Sequence, residues 1–280
     1  MASQILHKNS SRALPESSCC DDPLKTLSLE LVRDTLVRIE DSIVFALIER
    51  ARFPLNSNAY DASYLGNHRG HGGRSISEVF VRETEVIEAK LGRYQNPEEI
   101  PFFTDDLASP FVPAFNYPQV LYPAAASVNV SKDIWDMYFK NLLPLIASEG
   151  DDGDYVSAAA ADLVCLQVLS RRIHYGRQVA EVKFSDAPQD YSPAIRAKDR
   201  NTLMKLLTFE SVEEMVKRRV EKKAKVFGQD VTLNDKNNST DFDGEPNCKV
   251  DPSVVGQLYS EWVIPLTKVV EVEYLLRRLD

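Results

Sequence analysis

The chain has 280 residues and a formal charge of −9, and 44% of its residues are hydrophobic while 27% are charged. This composition is typical of a soluble globular protein and excludes a disordered one. The acidic balance disfavours a general nucleic-acid binder, although a local basic cavity could still hold an anion. Only 11 residues are glycine, which argues against a Gly-rich phosphate loop, and no apolar run is long enough for a membrane span.

The N-terminus and the cysteine and histidine residues carry few functional signals. Residues 1–26 lack the apolar core of a secretory signal, so we expect a disordered tail on a cytosolic protein. The cysteines form no CxxC pair, which predicts a reducing compartment without disulfides and Cys165 as a small core residue. His68 and His71 lie in a Gly-rich stretch without a further ligand at suitable spacing, which favours a solvated loop over a metal site.

Helical periodicity dominates the first half of the chain after the tail. Apolar residues recur every three or four positions over 29–47, which predicts one helix of about 24 residues with Ser28 as its N-cap. A second helix is expected to begin at Ser75. Residues 95–130 hold six prolines mixed with aromatics, so this stretch should pack on the body of the protein without forming a long helix. Helices are expected to resume at Ser131.

The second half continues the helical pattern. One long helix is predicted from about Tyr155 to Phe184, after an acidic turn. Ser211, with Glu214 three residues later, has the spacing of a capping box and predicts the start of another helix.

The C-terminal region begins with a polar stretch, 229–250, which predicts a mobile loop. Asp251 followed by Pro252 then has the pattern of an N-cap and a first helical residue. The last helix should run to Leu279 with a kink at Pro265. No alternating strand pattern is present, so we predict an all-α fold: a single-domain multi-helix bundle over 27–280, with long N-terminal, central and C-terminal helices.

Charged residues interrupt some of the apolar faces. Arg33 borders the apolar stripe of the first helix. On one continuous helix, Arg172 and Lys183 would point the same way, offset by ~20° and separated by ~16 Å along the axis. Two long side chains bending together would leave room for a small dianion. A solvated basic face is the alternative interpretation of this pair.

Carboxylates near the end of the chain offer a second hint. Thr267 and Glu271 share a helix face, and the flanking valines and leucines suggest that Glu271 is partly buried with a raised pKa. The alternative is a surface ion pair, which suits Glu273 and Arg277 better. Glu213 lies in a first helical turn, where support of the helix dipole is the simpler explanation. These patterns alone predict only a helical protein with a candidate anion pocket.

Three longer segments add information beyond spacing. They are LVRDTLVRIEDSIVFALIERARF (31–53), CLQVLSRRIHYGRQVAEVKF (165–184) and IPLTKVVEVEYLLRRL (264–279). Shorter informative segments are NPEEIPFF (96–103), FNYPQVL (115–121), GDDGDY (150–155) and DAPQDYSPAIRAKDR (186–200). Together these segments resemble the eukaryotic all-helical chorismate mutases, and most closely the cytosolic plant form, over about residues 27–280.

The resemblance implies a cofactor-free isomerase of the cytosol that forms a homodimer. Its substrate would be chorismate and its product prephenate, on the route to phenylalanine and tyrosine. The reaction is an intramolecular Claisen rearrangement, which needs neither a nucleophile nor a proton transfer. This would explain why the sequence contains no catalytic triad, metal cluster or phosphate loop.

The family's ligand residues match six positions of this chain. Three cations should hold the two carboxylates of chorismate: Arg33, Arg172 and Lys183. Glu213 should bind the ring hydroxyl, and Thr267 and Glu271 complete the set. The resemblance also implies that Lys183 and a protonated Glu271 donate to the ether oxygen. One departure is Phe209, which occupies the position of an Asn that joins the site in fungal members.

Regulation is expected to differ from that of many family members, which bind tryptophan or tyrosine at the dimer interface. Where they have a Gly-Ser pair, this chain has Val156 and Ser157, and where they have two arginines it has Gly92 and Arg93. The valine side chain should crowd the effector, so the resemblance predicts a vestigial site and an enzyme insensitive to aromatic amino acids.

The sequence also allows two interpretations without catalysis. One is a helical binding protein that keeps an anion pocket as a sensor or scaffold. The other is a bare structural bundle, which gives no reason for Arg172, Lys183 and Glu271 on apolar faces. A measurement of chorismate turnover distinguishes an enzyme from a binding protein and from a structural bundle.

Overall fold

A computed structural model of the chain describes residues 27–66, 73–229 and 248–280. Within these ranges the structure is helical and contains no β-strand, only an isolated bridge between Gln229 and Cys248. This confirms the predicted all-α class. The expected tail, the two loop histidines and most of the expected C-terminal loop lie outside the described residues.

The described α-helices follow one another with few long connections. In chain order they are α1 Leu29–Arg50, α2 Ile76–Lys90, α3 Ser131–Met137, α4 Leu143–Ile146, α5 Tyr155–His174, α6 Gly176–Asp186, α7 Pro188–Arg196, α8 Arg200–Leu207, α9 Glu210–Phe227, α10 Pro252–Gln257 and α11 Ile264–Arg277. Short π-helical segments, Tyr138–Leu142 and Leu258–Val263, join α3 to α4 and α10 to α11. Short 3₁₀ turns are Ser57–Ala59 and Arg93–Gln95.

Helix starts were predicted well where a side chain caps the first turn. The hydroxyls of Ser28 and Ser75 accept hydrogen bonds from the first turns of α1 and α2, and Asp251 caps α10. The prediction that a capping box at Ser211 starts a helix is wrong. Helix α9 begins earlier, at Glu210, and Phe209 takes the N-cap position without a side-chain cap.

The long helix predicted from Tyr155 to Phe184 is in fact two helices. The chain turns at Tyr175, so Arg172 lies in the last turn of α5 while Lys183 belongs to α6. Gly176 opens α6 at a close contact with α11, where an added Cβ would lie 2.8 Å from the carbonyl oxygen of Thr267. The absence of a side chain therefore lets α6 pack directly on the backbone that carries Thr267.

The C-terminal helix differs from the prediction in a similar way. Instead of a simple kink at Pro265, the chain passes through the π-helical turn before α11 begins, with the proline in its first turn. A proline tolerates this position because its missing N–H is not needed there. Thr267 and Glu271 follow this turn on α11, and both are buried.

Helix α5 is the centre of the bundle and packs against α1 and α2, while α11 packs against α6 and α8. Cys165 is fully buried in this core, as predicted. Beside it, Arg50 and Asp162 form an ion pair of 2.5 Å between side chains with no exposed surface. The hydroxyls of Tyr60 and Tyr138 each donate to the same carboxylate at 2.7 Å. These donors satisfy the buried charge within the chain.

The proline-rich stretch packs on the helices, as expected. The buried carboxylate of Glu85 on α2 accepts hydrogen bonds from the backbone N–H groups of Phe102 and Phe103 at 2.6 and 2.9 Å. The ring of Phe103 lies edge-on to Trp135, with 5.1 Å between ring centroids. Both contacts hold the stretch against α2 and α3.

Across the ranges that the structure describes, no helix combines the length and hydrophobicity of a bilayer-spanning segment. The same ranges contain no group of three or more metal-ligating side chains.

Candidate active site

The six ligand residues expected from the sequence line one cavity of about 320 Å³. Five helices contribute them: Arg33 from α1, Arg172 from α5, Lys183 from α6, Glu213 from α9, and Thr267 and Glu271 from α11. The remaining lining is largely apolar, with side chains such as Val32, Leu36 and Ile264. Polar groups thus converge inside an apolar cleft, as in most small-molecule sites.

Arg172 lies deepest among the cations, with only 5% of its surface exposed. Its guanidinium donates to the hydroxyl of Thr267 at 3.3 Å, and that hydroxyl donates to the carbonyl oxygen of Val263 at 2.6 Å. The Nε of Arg172 is buried without a hydrogen-bond partner, and no described carboxylate pairs with this side chain. A buried cation without an acidic partner is costly unless a ligand supplies the anion.

Tyr259 lies behind Arg172 and was missed by the sequence reasoning. Its ring centre is 5.9 Å from the guanidinium carbon, and its hydroxyl is fully buried without a partner. It belongs to the π-helical turn, whose irregular geometry carries no sequence signal.

Lys183 and Glu271 form an ion pair at the wall of the cavity, with 2.9 Å between Nζ and Oε2. Glu271 is 4% exposed, so burial raises its pKa, while Lys183 and Arg172 act in the opposite direction. Each interpretation of Glu271 therefore holds in part, because the carboxyl is buried and also forms an ion pair. A carboxyl in this setting can stay protonated at pH values above its ordinary pKa.

Glu213 pairs with a residue that the sequence reasoning missed. Its two carboxylate oxygens lie 3.0 and 3.2 Å from Nζ of Lys268, which also lines the cavity. Lys268 follows Thr267 directly and precedes Glu271 by three residues, so helical spacing alone placed it near the site. The pair fixes the carboxylate of Glu213 toward the cavity.

Arg33 and Phe209 lie at the outer part of the cavity. Arg33 is exposed and forms no ion pair with a described residue. Phe209 is 51% exposed, and its ring centre lies 5.5 Å from Nζ of Lys183. The phenyl ring offers no hydrogen bond, so its contact with the ammonium group of Lys183 is of the cation–π type.

The residues of the expected effector site do not meet within one chain. Arg93 is held by ion pairs to Glu88 and Glu99 at 2.7 and 3.0 Å, and Gln167 of α5 donates to the same Glu88. Ser157 lies ten residues before Gln167 on α5, a rise of about 15 Å.

The two positions that depart from the family pattern have distinct backbones. Val156 is 61% exposed at the start of α5. Gly92 has a left-handed backbone with φ of 84°, and an added Cβ would lie 2.7 Å from a methyl group of Val112. A side chain at position 92 would therefore be strained.

The charges of the cavity favour a dianion. Four cationic side chains line it against two carboxylates, although the whole chain carries a charge of −9. A protonated Glu271 would enlarge this local excess. The cations are Arg33, Arg172, Lys183 and Lys268. Spread around an apolar cleft, they can hold two carboxylates of one small molecule apart and fix its conformation.

Comparisons with known proteins agree with this site. The family model described as "Chorismate mutase type II" matches residues 155–272. Chorismate mutase 2 of Arabidopsis thaliana is 59% identical over 91% of this chain and 94% of its own length. The cytosolic chorismate mutase 2 of Zea mays is 60% identical over 91% and 97%.

A solved structure shares the fold. The crystal structure of AtCM1 with phenylalanine bound in its allosteric site has a TM-score of 0.80 and 45% identity, covering 95% of this chain and 99% of that one. With sequence, fold and cavity in agreement, the chain belongs to the chorismate mutase family.

Proposed function

We propose that the cavity converts chorismate to prephenate, in the cytosol, without a cofactor and without control by aromatic amino acids. The observation that carries the proposal is Arg172, a buried guanidinium that is oriented by Thr267 and lacks an acidic partner. The name of the maize relative supports the compartment. Pairing of Arg172 with a substrate carboxylate would complete its environment.

The chemistry needs orientation and charge stabilisation only. The ether C–O bond of the substrate breaks while a C–C bond forms, and the electrons move around one ring of six atoms. No proton or group leaves the molecule. Arg33, Arg172 and Lys183 select the compact conformer through its carboxylates, which lowers the entropic part of the barrier.

Negative charge grows on the ether oxygen as its bond to carbon breaks. In this proposal Lys183 and a protonated Glu271 donate to that oxygen together, which the distance of 2.9 Å between their side chains supports. Fixed donors of this type stabilise a transition state more than the ground state. In the same proposal Glu213, which Lys268 holds in place, accepts a hydrogen bond from the ring hydroxyl.

The pH dependence of turnover tests the role of Glu271. Burial raises the pKa of this carboxyl, so its protonated form is lost only as pH rises through that raised value. Activity should therefore fall with increasing pH when chorismate loss is followed by its ultraviolet absorption. Glu271→Gln keeps a donor and should flatten the fall, whereas Glu271→Ala should remove most activity.

Two outcomes would contradict this model. Full activity of the wild type at alkaline pH would remove the protonated carboxyl from the mechanism. A folded protein without any turnover would favour a non-catalytic sensor that keeps the anion pocket, with Phe209 as the first residue to exchange.

Insensitivity to effectors is supported by the positions that differ from the family pattern. Val156 places a branched side chain where the family has glycine, and Gly92 removes one of two arginines. AtCM1, by contrast, has been crystallised with phenylalanine or tyrosine in its allosteric site. We expect turnover to change less than twofold with millimolar tryptophan, tyrosine or phenylalanine. A several-fold response to any of them would show that this chain keeps an effector site.

A homodimer is part of the proposal. Helices α2 and α5 pack against each other, and apolar side chains are exposed on both helices and at the C-cap of α2: Ile87, Leu91, Val156 and Val164. Such residues favour association with a second copy. Light scattering should give twice the chain mass of 31.6 kDa.

A further inference from the structure

Buried arginines of the described chain fall into two groups. Arg50 has its acidic partner, Asp162, inside the protein. Arg172 and Arg177 are 5% and 4% exposed, and neither pairs with a described carboxylate. Both line cavities, and the cavity of Arg172 is the proposed substrate site. The cavity of Arg177 has no assigned ligand.

Arg177 is held by backbone carbonyls alone. Its Nε donates to His174 at 3.2 Å, and its terminal nitrogens donate to Ala126 at 2.6 Å and Pro97 at 2.8 Å. A guanidinium has five N–H groups, so two remain after these bonds, one on each terminal nitrogen. Burial lowers the pKa of Arg177 to about 10, although Tyr274 and Glu98 act in the opposite direction without pairing directly with the guanidinium.

The cavity beside Arg177 has a volume of about 270 Å³ and contains no acidic side chain. Its polar lining consists of amide side chains, Gln95, Asn116 and Gln119, and two aromatic rings, Phe115 and Tyr117, stand at its edge. The ring centroids are 4.7 Å apart, and Phe115 is 69% exposed. Asn116 makes no hydrogen bond within the described part of the chain.

These features define a ligand class. The two remaining N–H groups of Arg177 match the two oxygens of a carboxylate, which arginine binds in a fork. The exposed rings offer a face for a flat apolar body. The volume suits a molecule of one ring, and the lack of an acidic side chain leaves an ammonium group without a counter-charge.

We infer that this cavity binds a small carboxylate with one aromatic ring and without an amino group, at a site separate from the substrate cavity. The site is independent of the reaction proposed above, because none of its residues lines the cavity that holds Arg172.

Benzoate is a suitable probe in calorimetry with the full-length protein. The Arg172→Met variant reports binding when the substrate cavity lacks its deepest cation, and it should keep a benzoate site. Arg177→Met should weaken benzoate at least tenfold. L-Phenylalanine and benzylamine should bind at least tenfold more weakly than benzoate, since both carry an ammonium group.

A second variant guards against loss of folding at a buried position. Asn116→Asp places a negative charge at the cavity and disturbs no hydrogen bond, so it should weaken benzoate at least tenfold while the protein stays folded. Asn141→Asp, an exposed exchange outside this cavity, is the matched control and should bind as wild type.

Three results would overturn the inference. The first is loss of benzoate binding in Arg172→Met, which would assign the binding to the substrate cavity. The second is unchanged affinity in Asn116→Asp and Arg177→Met. The third is no heat of binding at millimolar benzoate in wild type.

Discussion

The two halves of α5 differ in how the protein compensates a buried charge. In the N-terminal half, Asp162 is enclosed with Arg50, Tyr60 and Tyr138, and every charged atom has a partner inside the chain. Ten residues later, Arg172 is almost equally buried, but its guanidinium donates to the hydroxyl of Thr267 and forms no ion pair with a described carboxylate. The first arrangement is complete without a ligand, and the second is not.

This difference separates charges that support the fold from charges that serve a ligand. Both arginines lie in the same helical core, so burial alone does not distinguish them. What distinguishes them is whether the protein supplies the opposite charge. Mutations in the two halves should therefore affect different properties of the molecule.

The largest expected effect is on catalysis, in a variant of Arg172. Arg172→Met keeps the apolar stem of the side chain and removes the charge. We expect kcat/KM to fall at least about 1,000-fold, or about 4 kcal/mol, because a buried contact to a substrate carboxylate is lost. The urea midpoint should stay the same or rise, since no described ion pair is broken.

Arg171→Met is the matched control for that variant. Arg171 is the neighbouring residue of α5, 40% exposed and paired with Glu98 on the outside of the bundle. Its loss should change kcat/KM less than threefold. Equal losses in the two variants would mean that α5 responds as a whole and that Arg172 has no special role.

The next largest effect concerns stability, at the ion pair of Arg50 and Asp162. Asp162→Asn keeps the shape but leaves Arg50 as an unpaired buried charge, which should cost about 3–5 kcal/mol of unfolding free energy. Chemical denaturation measures this loss, and kcat of the remaining folded enzyme should hardly change. Asp136→Asn breaks a surface pair with Lys140 and should cost at most about 1 kcal/mol. A strong loss of kcat with little loss of stability in Asp162→Asn would contradict the division of roles.

The smallest expected effect concerns Lys268, which lines the substrate cavity and pairs with Glu213. Lys268→Met frees the carboxylate of Glu213, and we expect a rise in KM of about tenfold, or about 1.4 kcal/mol, with a smaller change in kcat. The exposed Lys132 provides a control, since Lys132→Met lies outside the cavity. A large fall in kcat with constant KM would instead place Lys268 in the transition state.

The sequence predicted local features of the fold better than those created by contacts between helices. Ser28, Ser75 and Asp251 cap helices because each acts on its own first turn. The break at Tyr175 was missed because the apolar pattern continues through it, and the contact of Gly176 with the backbone of Thr267 joins residues more than 90 positions apart. The π-helical turns were missed because their irregular geometry has no sequence signal.

The site shows a similar division. The spacing of Arg172 and Lys183 was interpreted on one continuous helix, which is wrong, although both side chains line one cavity. The family resemblance, more than periodicity, brought the six residues together. Lys268 and Tyr259 were missed because their roles depend on which carboxylate or cation lies opposite, and one sequence does not contain that information.

The left-handed backbone at Gly92 limits how this chain could be engineered. An arginine introduced there would combine a positive φ with the methyl group of Val112 at 2.7 Å from its Cβ. Two neighbouring arginines at positions 92 and 93 would therefore require the surrounding turn to change as well. Grafting such a pair onto this chain is a task of loop redesign and not of a single exchange.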